Sequence, residues 1–169
     1  MFRDQVVFGT DLDGVVSLLP FNLKPAKLNS ANERTLYRLQ ESWIMQRGFN
    51  FLIRKPNPEI KNLMDELRLK GIRLVIISAS NVSYREELKI WLKFHNFSVD
   101  DLILKESFYE EGVAYKARVV PDICDFYIDD KEEIVRAINS ASNGKCRAIL
   151  YQPGQTSKDL LKELLPVYV

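Results

Sequence analysis

The sequence predicts an α/β fold: a three-layer, Rossmann-like parallel sheet with helices on both faces and a small helical cap inserted after the first strand. Three observations carry this. Short β-branched and aromatic runs alternate with segments of helical periodicity, the pattern of successive βαβ units. Chemistry-bearing residues stand where three of those runs end: Asp11 and Asp13, Ser78, and Asp129-Asp130. The stretch 16–56 breaks the alternation and leaves directly from the first of these points.

Residues 5–10 read as a buried strand, because β-branched and aromatic side chains suit a pleated surface. Asn57-Pro58 opens a helix whose apolar face is Ile60, Leu63, Met64 and Leu67, with Gly71 as its C-terminal stop. Residues 72–77 form a second strand ending at Ser78, and a helix over 83–94 follows. Residues 102–104 and 126–128 are further strands. A helix with Ile134, Ala137, Ile138 and Ala141 on one face stops near Asn143-Gly144. Residues 147–151 make the last strand, and an amphipathic helix carries Leu160, Leu161, Leu164 and Leu165. Right-handed crossovers place every strand's carboxyl end on one rim, so Asp11, Asp13, Ser78, Asp129 and Asp130 share it.

Within 16–56, Pro20 and Pro25 interrupt the start, and Asn29-Ser30 cap a helix containing Leu36, Leu39 and Trp43. The segment is too long for a plain loop and reads as a cap over the rim, with hinge positions near 16–17 and 55–57. The chain of 169 residues otherwise reads as one domain.

Composition narrows the function classes. Hydrophobic residues make up 46%, enough for a packed core, and 24 basic against 23 acidic residues leave no broad basic field for nucleic acid. No apolar stretch has the length of a membrane span, and residues 1–5 lack the apolar core of a signal peptide, so a cytoplasmic location is expected. Cys124 and Cys146 have no metal-like spacing and read as reduced core thiols. His95, the one histidine, continues the helical series Leu88, Trp91, Leu92 and reads as structural, which excludes a histidine triad or histidine-rich zinc site.

Asp11-Leu12-Asp13-Gly14 follows a strand, and two carboxylates one residue apart can share a divalent cation while one attacks phosphorus. A calcium-binding helix-loop-helix also begins this way, but it needs an oxygen ligand at Val15 and a glutamate at Asn22. Ser78 follows the second strand. Lys116 lies in the loop-like run Ala114-Tyr115-Lys116-Ala117-Arg118-Val119-Val120, with Lys105 as its rival, and Asp129-Asp130 follow a later strand.

These four elements, in this order over nearly the whole chain, resemble the haloacid dehalogenase (HAD) superfamily of phosphotransferases. The resemblance implies that Asp11 is the nucleophile, forming an aspartyl-phosphate that water hydrolyses, and that Asp13 is general acid and then base. It implies phosphate binding by Ser78, Lys116 and main-chain N–H groups at Ala79 and Ser80. It also implies a Mg²⁺ site built from Asp11, the Asp13 carbonyl and one aspartate of the 129–130 pair; the family pattern favours Asp130 as the direct ligand with Asp129 outside it, and the sequence leaves the choice between the two open. Because a residue able to protonate a leaving alcohol stands at Asp13, a phosphatase fits better than a dehalogenase.

The run from Lys116 to Asp130 looks most like the 5′(3′)-deoxyribonucleotidase branch, in which cap aromatics stack on a nucleobase; Phe21, Trp43 and Phe49 are the candidates here. The expected substrate is a nucleotide or another small phosphate ester. Two alternatives remain: a polynucleotide-end phosphatase, using Arg34, Arg38, Arg47, Arg54 and Lys55 as a basic track, and a non-catalytic binding protein. Oligomeric state is not legible in the sequence.

Overall fold

A computed structural model describes residues 5–18, 54–107 and 109–164. The expected cap, 16–56, lies mostly outside them, as do its aromatic candidates Phe21, Trp43 and Phe49.

Apolar strands buried on both faces pair in parallel, as the sequence predicts for helix-covered sheets. The strands are β1 (Val7–Thr10), β4 (Arg73–Asn81), β5 (Asp101–Lys105), β6 (Phe126–Asp129) and β7 (Arg147–Leu150). They form one sheet in the order β5-β4-β1-β6-β7, every neighbouring pair parallel. The chain first winds outward from β1 to β4 and β5, then returns to place β6 and β7 on the other side. Strand order therefore reverses around β1, and a crevice opens at the carboxyl ends of β1 and its neighbours.

Residue alternation sends side chains to two cores. Phe8, Leu74, Ile76, Phe126, Ile128 and Ile149 pack with α1 (Pro58–Leu69), α2 (Arg85–Phe94) and α5 (Ser157–Leu164). Val7, Val75, Ile77, Tyr127 and Ala148 pack with α3 (Gly112–Ile123) and α4 (Glu132–Ser142). The anticipated face of α1 is buried as expected, with Gly71 at φ +78° just beyond the last turn. Trp91 is fully buried and stacks on Phe97, while His95 lies against Trp91 at the end of α2. Cys124 and Cys146 are buried and not joined in a disulfide.

Four expectations are corrected. Strand β4 does not end at Ser78 but runs to Asn81, with a register shift against β5 between those residues. The helix after it begins later, at Arg85, behind a 3-10 turn at Val82–Tyr84. The buried face of α4 is Ile134, Val135, Ile138 and Ser142, whereas Ala141 is exposed. Val135 is buried in place of Ala141, and Ala137 is half-buried at the edge of that face. The run holding Lys116 is not a loop: it is helix α3, which contains Pro121 near its end.

A two-stranded antiparallel ribbon, β2 (Ser17–Leu18) and β3 (Lys55–Pro56), stands at the root of the segment that leaves the sheet after β1. It is fastened by Asn57, whose side chain accepts from the Glu59 N–H to cap α1. The same side chain donates to the Val15 carbonyl at 2.8 Å and to the Tyr151 hydroxyl at 2.9 Å, tying the aspartate turn to the far end of the sheet. The expected hinge positions thus carry paired, partly buried backbone.

Candidate active site

The turn after β1 is held rigid by its apolar residues. Leu12, Val15 and Val16 are fully buried in the core beneath α1, while the intervening Asp13 and Gly14 stay partly exposed. Main-chain bonds close the turn, from Ser17 N–H to the Leu12 carbonyl and from Gly14 N–H to the Ser17 carbonyl, both at 2.8 Å. Gly14 has φ +89°, and a Cβ there would stand 2.2 Å from Asp130 Oδ2. Backbone conformation and the closeness of Asp130 both require glycine at this position.

Asp11 continues the ladder, its N–H donating to the Ile128 carbonyl of β6 at 2.8 Å. This places the ends of β1 and β6 side by side. Lys116, in the second turn of α3, reaches across to both, with Nζ 2.8 Å from Asp11 Oδ1 and 2.7 Å from Asp129 Oδ2. All three side chains are almost wholly buried. Lys105, the rival lysine, instead donates to the Glu110 carbonyl.

Burial alone would lower the Lys116 pKa, but Asp11 and Asp129 more than offset this and raise it, so the ammonium is retained. Asp129 is pushed up to about 6 by burial and then by the Asp11 charge, against the opposing pull of Lys116. Asp130 is raised by the same two causes, burial first. Asp13 is also raised, chiefly by burial, although Arg54 pulls it down.

Asp13 carries its own partners. Arg54 Nη2 lies 2.9 Å from its carboxylate, and Ser17 Oγ donates to Oδ1 at 3.1 Å. Ser78 Oγ is buried where β4 shifts register; it accepts from the Ser80 N–H and donates to Ser80 Oγ, both at 3.2 Å. The Ser80 N–H is therefore engaged by Ser78 itself. A bulge of this kind re-aims the end of a strand, and here it turns Ser78, Ala79 and Ser80 toward the residues at the ends of β1 and α3.

A cavity of about 410 Å³ is lined by Asp11, Asp13, Ser78, Ala79 and Lys116 together. This volume suits a small ligand. Asp129 and Asp130 do not line it; their carboxylates lie close to that of Asp11, with Asp130 against Gly14. Sequence reasoning missed the other walls: Glu111, Gly112 and Val113 at the start of α3, and Lys131 and Glu133 at the start of α4. The α3 residues were hidden because that helix was not recognised.

Asp11, Asp129 and Asp130 each offer a carboxylate oxygen, all within 4.8 Å of one another. Asp129 has both oxygens engaged, Oδ2 by Lys116 and Oδ1 by the Lys131 N–H at 3.0 Å. Asp130 Oδ1 is buried with no hydrogen-bond partner among the described residues. Clustered hard oxygens, one of them orphaned, fit a Mg²⁺ ion.

No family model matches the chain, and no curated protein matches it. Solved structures do. A chain of the Pnkp1/Rnl/Hen1 RNA repair complex is similar at 16% identity and a TM-score of 0.60, over 89% of this chain and 45% of that one. The HAD domain of effector protein Lem4 from Legionella pneumophila is similar at 18% identity and a TM-score of 0.60, over 97% and 94% of the two chains. A HAD-superfamily hydrolase from Ehrlichia chaffeensis is similar at 12% identity and a TM-score of 0.56, over the whole of both chains. The chain thus spans less than half of the repair-complex chain and nearly all of the other two. At these identities the likeness is one of fold. The fold is that of the HAD-superfamily hydrolases.

Proposed function

We propose that this protein is a magnesium-dependent phosphomonoester hydrolase working through an aspartyl-phosphate on Asp11, with a nucleotide or another small phosphate ester as substrate. One observation carries the reading: Asp11 and Asp13 from the turn after β1, Ser78 from β4 and Lys116 from α3 line one small cavity beside the Asp129–Asp130 pair.

Lys116 and Ser78 bind and orient the phosphoryl group, the lysine by charge and the serine by its hydroxyl. An Asp11 oxygen attacks phosphorus, and the ester oxygen departs with the proton of Asp13. A raised Asp13 pKa suits that donor role. Asp13, now ionised, takes a proton from water as the water oxygen attacks phosphorus, releasing phosphate and restoring Asp11. Splitting one displacement into two in this way lowers each barrier. Mg²⁺, held by the Asp11 and Asp130 carboxylates and the Asp13 carbonyl, would supply positive charge against the phosphoryl oxygens. Asp129 stays outside that set, orienting Lys116.

A second reading, a polynucleotide-end phosphatase, is favoured by the likeness to a chain of an RNA repair complex. Its basic track is weakened, because Arg54 is buried against Asp13, while Arg34, Arg38 and Arg47 lie outside the described residues. A non-catalytic binding role is disfavoured by the convergence of the full set of side chains. No helix among the described residues is long and apolar enough to cross a membrane.

The test is phosphate release with Mg²⁺ over a panel of nucleoside monophosphates, sugar phosphates, a 3′-phosphorylated oligonucleotide and an aryl phosphate. Turnover abolished by a chelator and by Asp11→Asn supports the proposal, and the preferred substrate separates the two readings. A folded, magnesium-loaded protein without turnover on any of them contradicts both.

A further inference from the structure

We infer that Arg54 is a positioning residue that holds Asp13 in register with the departing ester oxygen; this rests on reading Asp13 as the proton donor. Arg54 immediately precedes β3, at the root of the ribbon, and its side chain is 8% exposed. Its main-chain carbonyl accepts from Trp91 Nε1 at 3.4 Å, which anchors it to the core. Nη2 meets the Asp13 carboxylate at 2.9 Å, whereas Nε and Nη1 are buried with no hydrogen-bond partner among the described residues.

Folding alone does not account for such a residue. Unpaired buried N–H groups are costly, and an apolar side chain of similar volume usually serves a core at least as well. What the guanidinium does is fix one carboxylate. Arg54 does not line the cavity, although Asp13 does, so it approaches Asp13 from behind. Ser17 Oγ holds Oδ1 of the same carboxylate. Two donors at the root of the ribbon, Ser17 in β2 and Arg54 just before β3, therefore set the Asp13 side chain, and neither lines the cavity. The role is delivery of a proton to the leaving oxygen, not capture of an anion.

Leaving groups discriminate this role. A primary alkyl phosphate needs its departing oxygen protonated, whereas p-nitrophenyl phosphate does not. Both are measured with Mg²⁺ on the wild type, Arg54→Met and Arg54→Lys. The alkyl-to-aryl ratio of kcat/KM reports the phosphorylation step, before the water attack that both esters share, and within one preparation it does not depend on the fraction of protein that is folded.

In Arg54→Met this ratio falls about tenfold or more, and Arg54→Lys recovers part of the loss. An equal fall in kcat/KM for both esters makes Arg54 a structural residue and overturns the inference. A raised KM for both, with kcat held, makes it a substrate-binding residue and also overturns it. A wild type inactive on both esters removes the phosphatase reading, and the inference falls with it.

Discussion

The two faces of the sheet divide the work of the molecule. Beneath α1, α2 and α5 the core is hydrocarbon and aromatic, from Phe8 and Leu63 to a fully buried Trp91. Beneath α3 and α4 the same strands meet Lys116, which reaches Asp11 and Asp129 beside a Tyr127 whose hydroxyl bonds the Ile77 carbonyl. The first face gains stability from area removed from water. The second buries charge, which stabilises weakly or not at all and is retained for what it does. Stability and chemistry can therefore be disturbed separately.

The sharpest break in the comparison is Lys116→Met. It leaves Asp11 and Asp129 buried without their cation, so we expect a stability loss of about 3–5 kcal/mol together with loss of turnover. Denaturant unfolding and phosphate release check the two effects, and Mg²⁺ should restore part of the stability but not the rate. Leu63→Ala, on the other face, should cost about 2–5 kcal/mol while leaving kcat per folded molecule as in the wild type.

A pH series sharpens the contrast. Asp129 holds its proton up to about 6 in the folded protein, against an ordinary value of 3.8. Between those values the folded state binds more protons than the unfolded state, so stability without metal should fall as pH rises through this window, by roughly 1–3 kcal/mol. Mg²⁺ affinity should move the opposite way, strengthening as pH rises and the carboxylates ionise; calorimetric titration at several pH values reads it. Substituting Asp129→Asn should flatten the stability trend.

A smaller effect is expected at Gly14. Alanine there must adopt a positive φ and displace Asp130, costing about 1–3 kcal/mol and weakening Mg²⁺ binding more than it weakens folding. Unfolding curves with and without Mg²⁺ separate the two.

Legibility in the sequence followed the same divide. The strands and α1 were readable because burial on both faces gives unbroken apolar runs, and a helix on one face gives the spacing Ile60, Leu63, Met64, Leu67. Asp11-x-Asp13, Ser78 and Asp129-Asp130 were readable because polar residues ending apolar strands mark a rim. Helix α3 was not, since Gly112 and Pro121 read as breakers and its interior holds a lysine neutralised only by residues distant in sequence. The extension of β4 through Ser78-Ala79-Ser80-Asn81 was hidden because its polar residues look like a turn. Arg54 was legible only as a member of a basic track, not as the partner of Asp13. Nothing local marks an arginine as buried, and its partner lies 41 positions away.

The most direct test of the central claim is where the phosphoryl group sits during turnover. In Asp13→Asn the base for water attack is missing, so p-nitrophenyl phosphate should give one equivalent of p-nitrophenol. Acid-quenched protein should then carry a phosphoryl group on the peptide containing Asp11. A phosphoryl group on another residue, or turnover of the aryl ester with neither burst nor adduct, would contradict a nucleophilic Asp11.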